Sequence, residues 1–288
     1  MVGRNLDQNL KGDAVKKAKV QQRKTLKKAV KIACVQFATA DKKRNIEKAC
    51  GGVLAAATAG ANIIVLPECS NSPYDAALFA QYAEVLQLSL TSEKASLTYD
   101  ALRHLAREAS VYLIGGSIPE LEVEMGKYFS TTLVFSPLSE ILGLHRKMHL
   151  FDIHIPGQMK FRESDTLSPG NSISIVYLPD YGCIGLGICY DISFPEPAMI
   201  AARSGVFALI YPSAFNSTTG PLHWELLARA GALYNQVFII AVACDQEETI
   251  IYTDIDDEII QRSCQSILTS GQRQFDIYVD VSKPLRVV

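Results

Sequence analysis

From Val30 onward, apolar and polar positions follow two alternating rhythms. Val30 to Phe37 alternates and is rich in β-formers, which predicts a strand. Asn45 to Ala59 is alanine-rich with few breakers, which predicts a helix ending near Gly60. Ile63 to Leu66 is a short unbroken apolar run, the mark of a strand covered on both faces. Further strands are expected at Val111–Ile114, Tyr128–Phe135, Ile141–His145, Ile184–Ile188, Phe207–Tyr211, Val237–Val242 and Ile250–Ile255. Helices are expected at Tyr99–Ala109, Pro195–Ser204, Pro221–Asn235 and Glu258–Ile267. Strands alternating with helices predict a layered α/β fold. No repeat or internal linker interrupts the pattern, so residues 30–288 read as one domain.

Residues 1–29 stand outside that pattern. Lys16, Lys17, Lys19, Arg23, Lys24, Lys27 and Lys28 make the segment basic, with few large apolar residues, so it reads as a flexible, partly helical tail. A mitochondrial presequence competes with that reading. Asp7, Asp13, the excess of lysine over arginine and the lack of serine weigh against it. The cytoplasm is therefore the expected location, with the mitochondrion as the alternative.

Composition narrows the function classes. Of 288 residues, 48% are hydrophobic and the formal net charge is −2, which argues against a nucleic-acid binder. No apolar run approaches the roughly 18 residues of a membrane helix, so no membrane partner is expected. The cysteine count is odd (seven), and no C-x-x-C pair exists. Neither a disulfide scaffold nor a structural zinc site follows, and reduced thiols are the expectation. His149 and His154 have no ligand-spaced companions, so no metal is assigned.

Three polar residues fall just past apolar strands: Glu68 in IIVLPECSNSPY, Lys147 in ILGLHRKMHLFD and Cys189 in IGLGICYDISFPE. Ligands gather at the carboxyl ends of strands in α/β sheets. A cysteine is a few per cent thiolate near neutral pH, and a neighbouring carboxylate takes its proton on attack. The resulting oxyanion needs fixed donors, which the Lys147 ammonium and the Tyr190 backbone N–H would supply. Taken singly, Cys189 reads as a buried structural thiol, Glu68 as a helix-start carboxylate and Lys147 as a surface charge. The other six cysteines are assigned as structural or incidental.

Together and in this order, the three segments resemble the nitrilase superfamily of C–N hydrolases. That resemblance implies a four-layer αββα sandwich, a Glu68–Lys147–Cys189 triad and no cofactor. The phrases NSPY, RKMHLFDI, ESDTLSPG, YPSAFNSTTGP and HWELLARA are similar to the omega-amidase branch. The branch implies hydrolysis of the terminal amide of 2-oxoglutaramate and 2-oxosuccinamate through a thioester, by a homo-oligomer. It also implies that Glu163 orients the lysine and substrate, and that Tyr74 and Thr219 hold the substrate carboxylate.

Two departures accompany the resemblance. Ser193 stands where the branch usually has arginine, whose planar fork suits a carboxylate. That keeps other amide substrates open, such as deaminated glutathione or N-carbamoyl compounds. The family also carries about thirty more residues between Ala243 and Ile250, and their loss would strip a hairpin from one sheet and expose an edge. A non-catalytic shortened chain that pairs with full-length subunits is the reading from another class.

Overall fold

The computed structural model describes residues 26–86, 96–157, 159–215, 220–244, 247–269, 272–275 and 277–278. Its strands are β1 (Val30–Gln36), β2 (Ile63–Val65), β3 (Tyr112–Glu122), β4 (Lys127–Phe135), β5 (Ile141–Arg146), β6 (Asp152–Ile155), β7 (Met159–Arg162), β8 (Ser174–Leu178), β9 (Gly182–Leu186), β10 (Val206–Pro212), β11 (Phe238–Val242) and β12 (Thr249–Ile255). The helices are α1 (Lys42–Thr58), α2 (Phe79–Tyr82), α3 (Leu97–Glu108), α4 (Pro195–Arg203), α5 (Gly220–Asn235) and α6 (Asp257–Ser266). Local chemistry sets several of their starts. Asp41, Ser96 and Asp256 each accept from a backbone N–H in the first turn of α1, α3 and α6. Pro195 opens α4, where a missing N–H costs nothing.

A six-stranded sheet runs β12-β1-β2-β3-β4-β5 and a four-stranded sheet runs β11-β10-β9-β8. In the first, β1, β2 and β3 are parallel, and the outer pairings are antiparallel. In the second, β9, β10 and β11 are parallel. The inner faces meet in one core, with Ile32, Ile63 and Val134 from the first sheet against Ile184, Ala208 and Ile240 from the second. The outer face of the first sheet packs Ile64 and Leu66 on Val53 of α1 and Leu102 of α3. The second packs Leu209 on Ala198 and Ala201 of α4, with Leu227 of α5 alongside. The order is therefore helix, sheet, sheet, helix: the expected αββα sandwich.

The second sheet has four described strands against six in the first, and β11 forms its edge. From β11 the chain passes directly to β12, which lies antiparallel on β1 with Thr249 opposite Gln36. Glu248 seals that crossing with a 2.8 Å ion pair to Lys48.

Several elements differ from expectation. Helix α1 begins at Lys42, because Asp41 caps it. Strand β3 runs on past Ile114 to Glu122 across Gly115, Gly116 and Pro119, residues that locally signal a break. A register shift between Ile114 and Ser117 absorbs them. The β6–β7 hairpin, β8 and α2 were not expected from the pattern. Leu26, placed in the tail by sequence, is fully buried in the core between the sheets, so the packed body reaches back to it. Lys27 follows by donating to the Pro179 carbonyl at 2.8 Å. Residues 1–25 lie outside the described residues. Among the described residues, no helix is long and apolar enough to cross a membrane.

Candidate active site

Glu68 sits just beyond β2, in a turn that its neighbours fix. Its backbone N–H donates to the Ser213 carbonyl at 3.2 Å, and the Cys244 thiol donates to the Glu68 carbonyl at 3.1 Å. The side chain is 1% exposed. One oxygen, Oε1, accepts from the Lys147 ammonium at 2.8 Å. The other, Oε2, is buried with no hydrogen-bond partner among the described residues. A buried acceptor left open is costly unless something else uses it.

Lys147 follows β5 and is fully buried. Its N–H donates to the Ser130 carbonyl at 2.9 Å, and its carbonyl accepts from Gly170 N–H at 2.7 Å. Only glycine permits that approach, since a Cβ at position 170 would sit 2.2 Å from the Arg146 carbonyl oxygen. The ESDTLSPG segment thus crosses directly over the lysine backbone. The ammonium donates equally, at 2.8 Å, to Glu68 Oε1 and Glu163 Oε1.

Glu163 opens a short 3-10 turn, Glu163–Asp165, and is 1% exposed. Both of its oxygens are engaged. Oε1 also accepts from the Tyr74 hydroxyl at 2.9 Å, and Oε2 accepts from Phe151 N–H at 2.7 Å. Tyr74 in turn stacks on Phe161. The structure therefore puts the Tyr74 hydroxyl on Glu163.

Cys189 begins the 3-10 turn Cys189–Ser193 after β9, with φ +46°. Its thiol is buried and lies near enough to Glu68 for each group to shift the other's proton affinity. Tyr190 packs edge-on against Phe151 and Phe194, and Ser193 closes the turn, half-buried. Thr219 lies outside the described residues. Cys69 packs with Phe79 and Leu167, away from the core between the sheets. His223 and Trp224 both pack on Phe215.

Burial dominates the electrostatics. It raises the Glu68 carboxyl to about 7, with the Lys147 ammonium pulling the other way and Glu163 adding to the rise. It also pushes the Cys189 thiol well up, helped by the Glu68 charge and opposed by Lys147. Burial alone would lower Lys147, but the two carboxylates outweigh it and hold the ammonium charged. The resting site thus pairs a neutral thiol with a carboxyl poised near neutrality, beside a fixed cation. Such a set can move one proton as a sulfur–carbon bond forms, and can neutralise the oxyanion that results.

Sequence reasoning missed Asp191. It is 2% exposed and accepts from Ile188 N–H at 2.9 Å and His149 N–H at 2.9 Å. Its place two residues after Cys189 was the available signal. Its partners across the fold lie more than forty residues away.

A buried thiol, carboxylate and ammonium thus gather at strand ends of a layered α/β fold. The chain belongs to the carbon–nitrogen hydrolase family, whose profile matches residues 31–270, and is an enzyme of the class that acts on amides. It is 41% identical over 283 residues to Omega-amidase NIT2 of Homo sapiens, covering 88% of this chain and 99% of the relative. It is 38% identical over 290 residues to Omega-amidase NIT3 of Saccharomyces cerevisiae, covering 90% and 98%. The crystal structure of Saccharomyces cerevisiae Nit3, described as a member of branch 10 of the nitrilase superfamily, superposes with a TM-score of 0.78 at 35% identity. That match covers 87% of this chain and 98% of the other. Since 90% of 288 residues is about 259, about thirty of the 290 positions aligned with NIT3 have no residue here.

Proposed function

We propose that the chain hydrolyses the terminal carboxamide of small ω-amides such as 2-oxoglutaramate and 2-oxosuccinamate, releasing the keto-acid and ammonia. The observation that carries this reading is the Lys147 ammonium clamped between Glu68 and Glu163, with the Cys189 thiol close enough to the Glu68 carboxyl for each to shift the other's proton affinity. The names of the relatives point to the substrate class.

The sequence of bonds follows from the groups present. As the Cys189 sulfur bonds to the amide carbon, its proton passes to Glu68. The carbonyl oxygen becomes an oxyanion, met by the Lys147 ammonium and the Tyr190 N–H. Protonated Glu68 returns the proton to the nitrogen, the C–N bond breaks and ammonia leaves. Glu68 then takes a proton from water, which attacks the thioester. The C–S bond breaks, the thiol is restored and the carboxylic acid departs. No step calls on a cofactor or metal. Glu163 and Tyr74 hold the lysine in place, and Tyr74, Ser193 and Thr219 are the residues we assign to the substrate's far carboxylate. The cytoplasm and a homo-oligomeric state complete this reading.

Ammonia release from 2-oxoglutaramate by the purified chain, with Cys189→Ala beside it, tests the proposal. Activity lost in that variant supports it. Failure of folded protein to release ammonia sinks it. A second reading, a non-catalytic subunit that pairs with longer relatives, is favoured by β11 standing at a sheet edge among the described residues and by the unmatched positions. It requires the folded chain to be inert and to co-purify with such a subunit.

A further inference from the structure

We infer that Asp191 is a positioning residue that locks the Lys147 loop and the Cys189 turn into one register, so that the ammonium and thiol meet. The inference rests on the thiol-hydrolase reading above. It begins with strain. The left-handed backbone of Cys189 (φ +46°) is disfavoured for a residue with a Cβ and persists only where its surroundings over-determine it. Asp191 supplies that determination. On the nucleophile side, Ile188 N–H donates to Oδ2 at 2.9 Å, and Asp191 N–H returns a bond to the Ile188 carbonyl at 3.0 Å. The residue before Cys189 is thereby pinned to the residue two after it.

The same carboxylate reaches the lysine loop on both sides of Lys147. His149 N–H donates to Oδ1 at 2.9 Å, and the His149 ring nitrogen Nδ1 stands 2.7 Å from the same oxygen. His145 Nε2 stands 3.2 Å from Oδ2. His149 is itself held flat against Phe194, with ring centroids 3.7 Å apart and planes at 9°. Phe194 directly follows the nucleophile turn, so the two segments are joined a second time. Burial works against the Asp191 charge, but the two histidines and Ile188 N–H hold the carboxyl far below its ordinary range. All four donors therefore face an ionised carboxylate with two acceptor oxygens.

A neutral amide of the same shape has one acceptor oxygen and two donor hydrogens. Asp191→Asn would turn an NH₂ onto either Ile188 N–H or the His149 backbone, and one side of the lock would open. Displacing reacting groups by about 1 Å costs about 10²-fold in rate. His149→Ala is the milder test, because it leaves the bonds from Ile188 and His145 intact.

The experiment measures kcat and KM for 2-oxoglutaramate, per mole of titrated thiol, in wild type, Asp191→Asn and His149→Ala. It also measures the rate at which iodoacetamide alkylates Cys189, read by intact mass. The expected result is a kcat lower by about 10²-fold for Asp191→Asn and about 10-fold for His149→Ala, with KM little changed. Alkylation slows in the same order, because the thiol loses its aligned base. Wild-type kcat per thiol and wild-type alkylation in both folded variants, with only a lower melting temperature, would overturn the inference. Should Asp191→Asn not fold, His149→Ala decides alone. Should wild type release no ammonia, the hydrolase reading fails, while the alkylation series still decides the role of Asp191.

Discussion

The Lys147 ammonium and the Glu68 carboxylate stand 2.8 Å apart with side-chain exposures of 0% and 1%. Removing one partner from a buried pair strands the other, typically at a cost of about 3–5 kcal/mol. Lys147→Met should therefore lower stability by about that amount and, by removing an oxyanion partner, lower kcat by about 10²–10³-fold. Urea unfolding and steady-state ammonia release check both. A variant of wild-type stability would show that the pair is not the buried unit described.

The Glu68 carboxyl, raised by burial to about 7, sets the pH dependence of the proposed reaction. The base must be ionised to accept the thiol proton, so activity falls as pH drops through the carboxyl's titration. We predict an acid limb of kcat/KM centred near 7 rather than near the ordinary 4.5. Glu68→Gln should abolish the reaction. An acid limb near 4.5 in a full pH profile would contradict the burial argument.

Gly116 fixes the loop that carries Glu68. Its φ is +70°, and a Cβ there would lie 2.1 Å from the Pro67 carbonyl oxygen. Gly116→Ala combines left-handed strain with backbone overlap, so a loss of about 3 kcal/mol is expected. Activity should fall as the Pro67–Glu68 turn shifts. Thermal melting is the first check, and an unchanged midpoint would refute the close approach.

Glu84 is a buried carboxylate remote from the chemistry. It accepts from Ser96 and Thr98 at the start of α3 and pairs with Lys42 of α1 at 2.7 Å. Burial opposes its charge, but Lys42, Ser96 and Thr98 prevail and hold the carboxyl below 4.5. A depressed carboxylate stabilises the fold above its unfolded value, and that stability is lost as pH falls through the native value. Glu84→Gln should cost about 1–3 kcal/mol at pH 7, and the gap from wild type should close as pH drops below 4.5. A gap independent of pH would mean that ionisation contributes nothing.

Much of this arrangement is written in local pattern. Ile63–Leu66 reads as a doubly covered strand, and β2 lies between β1 and β3 with every residue buried. Glu68 and Cys189 each follow such a run, and Lys147 follows the partly covered strand β5. Strand β8 is not, because its exposed positions carry Ile175 and Tyr177, which erase the alternation. The far half of β3 is hidden by Gly115, Gly116 and Pro119, whose accommodation depends on pairing with β4. Asp191 escapes for a related reason: its meaning lies in His145 and His149, which only the folded chain brings to it.

Leu26 carries a consequence for how the chain tolerates processing. Because this side chain is wholly enclosed between the two sheets, it works as a plug in that part of the core. Cutting beyond it would unseat the plug and open a void among Val30, Leu178 and Tyr181, which share its cluster. Any shortened version of the chain should therefore keep Leu26.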